Sequence, residues 1–200
     1  MRVFILRARR MPTAAESLEK HLGGYSHFEI IAHTLISALF VSRDVRSNVL
    51  VYVVCEGPPD PPRVIGFDSR ALFMLPGFDE RAILSIFERA LRESEHLGRE
   101  QTRQIDEGLT VGRTSFEHLV RSLGASQGVY VLDRRGQDIR EVAFPEECCF
   151  ILTDHMPMQK KTFHLLRRLD AQKISLGPKM VFAAHCVALV HNELDRQHRQ

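Results

Sequence analysis

Residues 48–55, Asn-Val-Leu-Val-Tyr-Val-Val-Cys, constrain the fold more than any other stretch. The run is rich in β-branched residues and apolar at both strand parities. A strand with one face in water alternates apolar and polar residues. One that is apolar throughout has both faces covered, as at the centre of a parallel sheet flanked by helices. Its surroundings agree. Arg2–Leu6 is a second compact apolar run. Between the two, Phe28, Ile31, Leu35 and Leu39 recur at helical spacing and predict an amphipathic helix over 28–41. Strand, helix, strand is a βαβ unit, and the expected class is α/β with a mostly parallel sheet and helices on both faces.

The chain has 200 residues, of which 44% are hydrophobic and 26% charged, enough for one domain over 1–200 with a sizeable core. Its longest apolar run, Val49–Cys55, is far short of the roughly 20 residues that span a bilayer. The apolar run at the N-terminus gives way to Arg7 after four residues and reads as a strand rather than a signal peptide, so the expected location is cytoplasmic. The 4 cysteines (Cys55, Cys148, Cys149, Cys186) form no zinc spacing and the 10 histidines form no HExxH pair; reduced thiols and no metal are expected. A net charge of +2 does not by itself argue for nucleic acid. Arg7, Arg9 and Arg10 do cluster just after the first strand, as a solvated surface or as phosphate contacts.

A short helix is expected at Ala14–Leu22, stopped by Gly23-Gly24. After the central strand, Glu56-Gly-Pro-Pro-Asp-Pro-Pro62 fixes a rigid loop with Asp60 pinned inside it. That is either a stiff turn with a solvated aspartate or a positioned base at the sheet edge where α/β folds bind ligands. An edge strand is read at Arg63–Phe67, a helix at Asp79–Ser94 capped by Asp79, a hairpin around Arg103–Val111 and a helix at Ser115–Leu123. The last third carries strands at Gly128–Leu132, Cys148–Leu152 and Gln172–Ser175, each opening into a polar or Gly-containing loop, with a helix at Met158–Leu169. If those strands are parallel, the three loops meet at one edge. From Ser175 the chain makes a Gly177-Pro178 turn, an irregular apolar loop to Phe182 and a final helix. Ala184, Val187, Ala188 and Val190 predict that this helix is well buried, while His185, Cys186, His191, Asn192, Glu193 and Asp195 on it need partners. Two readings of this stretch stand side by side, a cofactor pocket and the closing helix of an ordinary α/β domain.

No GxGxxG, P-loop or GxSxG motif is present, which argues against Rossmann, Walker and serine-hydrolase chemistry. His185 and Cys186 are neighbours on one helix, so their side chains diverge and cannot form a nucleophile–base pair. Converging loops without a phosphate motif are compatible with S-adenosylmethionine, which presents an adenine to backbone groups and no phosphate.

Five blocks in order extend this reading: the N-terminal Arg-Val-Phe-Ile-Leu-Arg-Ala-Arg-Arg, Gly57-Pro-Pro-Asp-Pro-Pro62, Phe150-Ile-Leu-Thr-Asp-His155, Ile174-Ser-Leu-Gly-Pro178, and His185-Cys with Leu189-Val-His-Asn-Glu-Leu-Asp195. Together they resemble the TrmY family, the archaeal tRNA pseudouridine N1-methyltransferases and their bacterial relatives within the SPOUT superfamily. The resemblance implies a C-terminal trefoil knot over about 124–200, a rare exception to un-knotted topology. It also implies a homodimer formed across the knotted region. By matching position it implies that S-adenosylmethionine is held by Leu132, Thr153, Ser175, Leu176, Gly177, Pro178, Lys179, Met180 and Cys186. Thr153 departs from the Gly of many archaeal members, and its side chain narrows the approach. The implied reaction moves a methyl group onto an imide-like pseudouridine N–H, which needs a base or a polarising group. Asp60 is the candidate, with Arg7, Arg9 and Arg10 on RNA phosphate. His185 and His191 read as structural, and Glu193 and Asp195 as caps or as partners of arginines at the dimer interface. Three other readings remain: a non-catalytic RNA- or ligand-binding member of the fold, a methyltransferase for a different pseudouridine such as one in rRNA, and a generic α/β enzyme for a small metabolite.

Overall fold

A computed structural model describes residues 1–21, 27–42, 44–71, 77, 79–124 and 128–198. Strand β1 (Arg2–Ala8) leads through a 3-10 segment, Ala15–His21, to helix α1 (Phe28–Leu39). A small hairpin, β2 (Phe40–Val41) and β3 (Asp44–Val45), then feeds β4 (Val49–Cys55). β4 lies parallel to β1 with Arg2 opposite Val49 and Ala8 opposite Cys55, completing the expected βαβ unit. The expected helix at 14–22 is a 3-10 connector, a form common in short pieces; its Gly23-Gly24 stop lies outside the described residues. α1 stops two residues early because Phe40 turns extended and starts the hairpin.

β5 (Arg63–Asp68) returns antiparallel to β4, followed by α2 (Glu80–Glu93), whose Asp79 cap accepts from the Ala82 amide at 2.9 Å. The hairpin β6 (Thr102–Asp106) and β7 (Leu109–Gly112) then adds β7 to β5. β5 is therefore an interior strand and not the sheet edge expected from its sequence; the hairpin covers it, and β6 is the edge. Helix α3 (Phe116–Gly124), strand β8 (Gly128–Asp138), β9 (Cys148–Thr153), α4 (Lys160–Arg168), β10 (Gln172–Ser175) and α5 (Ala183–Gln197) complete the chain.

The eight-stranded sheet runs β10-β8-β9-β1-β4-β5-β7-β6, with the first five strands mutually parallel. Side-chain alternation along β1 sets the two faces. Phe4, Leu6 and Ala8 point into a core shared with α1, α2 and α5; Val3 and Ile5 point into one shared with α3 and α4. In register on neighbouring strands, Phe4, Phe150 and Tyr130 stack at centroid spacings of 5.6 and 5.5 Å. α5 is buried along a single stripe, Ala183, Val187, Val190, His191 and Leu194. It packs on α1 only on that side and leaves Ala188 and Leu189 exposed, so the expectation of a well-buried helix holds for one face.

Candidate active site

Because β10, β8, β9, β1 and β4 point the same way, the segments that follow them line one edge of the sheet. In open parallel sheets this carboxyl edge is where ligands bind. β10 pairs first with Tyr130 and Val131 and then, after a register shift, with Gln137 and Asp138. The intervening part of β8 swings out and returns, bringing Gly136 against Ile174. A Cβ on Gly136 would lie within 2.6 Å of the Ile174 backbone atoms, so no other residue type fits there without movement.

Of the nine expected cofactor residues, Thr153 ends β9 and Ser175–Met180 end and follow β10. Leu132, expected at the end of its strand, instead lies within β8 just past its last pair with β9, because β8 continues to Asp138 to pair again with β10. Cys186 lies in the first turn of α5. Leu132 and Leu176 are half-buried and pack on the core, giving the edge an apolar floor. Thr153 is half-buried at the end of β9. Ser175 is buried, and its Oγ accepts from the Gly177 amide at 3.2 Å. Gly177 has φ 127°, a conformation L side chains rarely adopt, with open space where a Cβ would stand. Pro178, Lys179 and Met180 are exposed, and residues 176–182 belong to no helix or strand, so their backbone lies outside any helix or sheet ladder, where a ligand can meet it. Cys186 is half-buried and donates to the Val181 carbonyl at 3.7 Å; burial pushes its thiol up to about 11, so it is a neutral apolar group rather than a nucleophile. An apolar floor under irregular backbone, with no phosphate loop, fits S-adenosylmethionine.

The Asp60 loop is tied to the segment after β1: Gly57 N donates to Met11 O at 2.8 Å, Thr13 N to Pro58 O at 3.0 Å, and Asp60 N to Thr13 Oγ1 at 3.0 Å. Asp60 is not a free carboxylate. Oδ2 accepts from Arg63 at 3.0 Å and Oδ1 from Arg113 at 2.8 Å. Its strand lies four positions from β10, roughly 19 Å across the sheet, so one chain alone does not set it beside the Gly177 turn. Beside the loop is a cleft of about 310 Å³, lined by Pro61, Pro62, Arg99, Glu100, Arg113 and Ser115.

The three N-terminal arginines divide. Arg9 is half-buried and Arg10 exposed on the turn after β1. Arg7, expected with them on an RNA-facing surface, is instead 6% exposed. It donates to both Glu56 oxygens at 2.8 and 2.7 Å and to Thr162 Oγ1 at 2.8 Å, and stacks over Phe116 at 4.3 Å. It braces β1, the Asp60 loop and the α3–α4 face, and lies too deep to meet a surface phosphate.

Sequence reasoning assigned no role to Asp154 and His155, although they follow a buried strand at the ligand edge, which was the available signal. The Asp154 side chain is fully buried and Oδ1 accepts from the Met156 amide at 2.8 Å. Among the described residues Oδ2 has no hydrogen-bond partner, and neither has either His155 ring nitrogen; Nδ1 lies 3.7 Å from Oδ2. Burial pushes the Asp154 carboxyl up and the His155 imidazole down, and the Asp154 charge opposes the second shift. His191 on α5 is structural, as expected: Nε2 donates to Ala38 O at 3.0 Å and Nδ1 accepts from Arg2 at 3.1 Å. Asp195 pairs with arginines of its own chain, Arg2 at 2.5 Å and Arg46 at 2.9 Å. Among the described residues, no cluster of three or more His, Cys, Asp or Glu could hold a metal, and no helix is long and apolar enough to cross a membrane.

Comparison with known proteins gives this edge a family. Residues 1–199 match the family described as "Putative SAM-dependent RNA methyltransferase", and the chain belongs to that family. Similar relatives named "Putative pseudouridine methyltransferase" come from Shewanella baltica and Photobacterium profundum. They are 48% and 47% identical over 195 residues, covering 98% of this chain and 98% of each relative. Among solved structures, Archaeoglobus fulgidus Nep1 bound to S-adenosylhomocysteine superimposes with a TM-score of 0.67 at 13% identity, covering 99% of this chain and 98% of that one. At that identity the likeness establishes the shared fold.

Proposed function

We propose that this protein methylates N1 of a pseudouridine in RNA, with tRNA as the substrate and the cytoplasm as its place of action. The observation that carries the reading is that Leu132, just past the last β8–β9 pair, Thr153 at the end of β9 and the 175–180 turn at the end of β10 fall on three adjacent parallel strands. The names of relatives nearly half identical over almost the whole chain supply the nucleoside. When bound, S-adenosylmethionine supplies an electrophilic methyl group on a sulfonium. Leu132, Leu176 and Cys186 would form the apolar wall of its pocket, and the backbone of Ser175–Met180, with Thr153 opposite, the polar one. Arg9 and Arg10, with Arg99 and Arg113 of the proline-walled cleft, would carry RNA phosphate along the same edge.

The chain forms one domain over 1–200 in this reading, with a knot in its last third. The close crossing of Gly136 and Ile174, and the pairing of β10 with both arms of β8, support the knot. A homodimer is supported by an apolar patch at the start of α5, where Met180 is 87% and Phe182 66% exposed, continuing through Val181 and Leu189. The dimer also gives Asp60 a route to a cofactor pocket, that of the second subunit. Held by Arg63 and Arg113, Asp60 then acts by polarising and orienting the target base. The deciding experiment compares modified nucleosides by mass spectrometry in tRNA and rRNA with and without the protein, alongside methylation of pseudouridine-bearing tRNA in vitro. Methylpseudouridine in tRNA that disappears with the protein is the expected result; its loss from rRNA alone would reassign the substrate, and no change in either would overturn the reading.

A further inference from the structure

Three buried polar atoms without partners among the described residues sit within two consecutive residues at the ligand edge: Asp154 Oδ2, His155 Nδ1 and His155 Nε2. Buried polar groups are almost always satisfied, and exceptions concentrate where a ligand or a reaction completes them. Their position is informative. β9 lies between β8, which carries Leu132, and β1, which leads to Arg9 and Arg10. Apart from Thr153 on β9 itself, the cofactor residues are therefore on one side of the pair and the arginines after β1 on the other. A base receiving a methyl group must come between the two. The charged and titratable groups facing the pair are few. His27, just before α1, packs edge-on against His155 with centroids 4.5 Å apart; the charge of Arg10 is felt at His155, and Arg9 at Asp154 through its backbone amide and its charge.

We propose that His155 is the base that receives the N1 proton of the target pseudouridine, and that Asp154 is its positioning residue. The proposal rests on the pseudouridine reading above. In the step, the N1–C bond forms as the sulfonium S–C bond breaks. The electron pair of that bond stays on sulfur, and the N1 proton passes to a neutral His155 nitrogen and then to water. Burial keeps the imidazole unprotonated at neutral pH, the form a base requires. The 3.7 Å separation of Nδ1 and Oδ2 is long for a hydrogen bond. Catalytic contacts of this kind tighten when substrate arrives, and a tightened contact would leave Nε2 for N1. Asp60 does not compete for this role, because both its oxygens are taken by guanidinium groups.

The test uses the full-length protein and a pseudouridine-bearing tRNA. His155→Gln is expected to retain the cofactor thermal shift and RNA affinity while its single-turnover methylation rate falls about 10²–10³-fold and loses the acid limb of the pH–rate profile. Asp154→Asn is expected to move that limb to lower pH, because the carboxylate charge raises the His155 pKa. Histidine-labelled NMR gives a readout apart from turnover: His155 ring signals should shift when pseudouridine RNA is added with S-adenosylhomocysteine, and not with uridine RNA. A His155→Gln rate within threefold of wild type, a parallel loss of binding and rate, or unmoved ring signals would each overturn the proposal. Wild-type protein that leaves pseudouridine tRNA unmethylated counts against the parent reading, and the ring signals still judge His155.

Discussion

The two ends of the parallel sheet each bury a histidine near a carboxylate, and the two are built in opposite ways. At the amino end, both ring nitrogens of His191 are bonded, one to Arg2 and one to the Ala38 carbonyl, with Phe4 packed edge-on at 4.9 Å. Asp195 closes the cluster through Arg2 and Arg46, leaving only Arg46 Nε without a partner among the described residues there. At the carboxyl end, both ring nitrogens of His155 and one oxygen of Asp154 have no hydrogen-bond partner among the described residues. Satisfied polar clusters fix the relation of α5 to β1 and α1. Unsatisfied ones are held in place by the rest of the fold and find partners only when something binds.

The largest effect that would break this contrast comes from acid. Burial, reinforced by Arg46 and Arg2, pushes His191 down to about 3. The native side chain stays neutral where the unfolded one takes up a proton near pH 6.5, so acidification favours the unfolded state. This contribution is intact above pH 6.5 and is progressively lost as pH falls toward 3. Between pH 6.5 and 5.0 it amounts to about 2 kcal/mol. His191→Gln should cost about 2 kcal/mol at pH 7.5, flatten the acid slope by a similar amount, and leave the single-turnover rate of folded protein within twofold. Urea titrations at several pH values read the slope. A slope as steep in the variant as in wild type would mean that His191 is not the group responsible.

The two ends were also unequally legible in the sequence. Apolar periodicity made β1, β4, β9 and β10 readable almost to the residue, because buried strands and helix faces follow local pattern. The five-block resemblance brought out the cofactor edge. Neighbours distant in sequence were not readable. The interior position of β5 depends on a hairpin some 40 residues later, and the burial of Arg7 depends on Glu56 and Thr162. Asp60 looked like a free carboxylate in a rigid loop, since Arg63 and Arg113 join it only in the fold. His155 went unassigned because its distinguishing property is the lack of a partner, which only coordinates reveal.

A smaller effect should separate the ends by location. Gly136 is admitted by the backbone of Ile174, and Gly136→Ala forces a methyl group into space already occupied. The cost should be about 1–3 kcal/mol of overpacking. Because β8 and β10 carry Leu132 and the Gly177 turn, the displacement should also reduce or abolish the thermal shift given by S-adenosylmethionine. The acid slope set by His191 should be unchanged. A variant that keeps the full cofactor shift would show that the crossing at Gly136 does not shape the pocket.

The smallest effect concerns charge on the surface of the carboxyl end. Arg2 and Arg46 at the amino end are engaged with Asp195, and Arg7 with Glu56, whereas Arg10 stands exposed on the turn after β1 with Arg9 half-buried beside it. If Arg10 contacts an RNA phosphate, removing it deletes one released counterion, weakening binding uniformly across sequences and lowering the salt slope by about 1. Arg10→Ala should therefore bind tRNA about three- to tenfold more weakly at 0.1 M salt, with the difference shrinking as salt rises. Stability should change by less than about 0.5 kcal/mol, as at other exposed positions. Binding isotherms at several salt concentrations decide it. A parallel salt slope in wild type and variant would move the phosphate path away from β1, toward the cleft of Arg99 and Arg113.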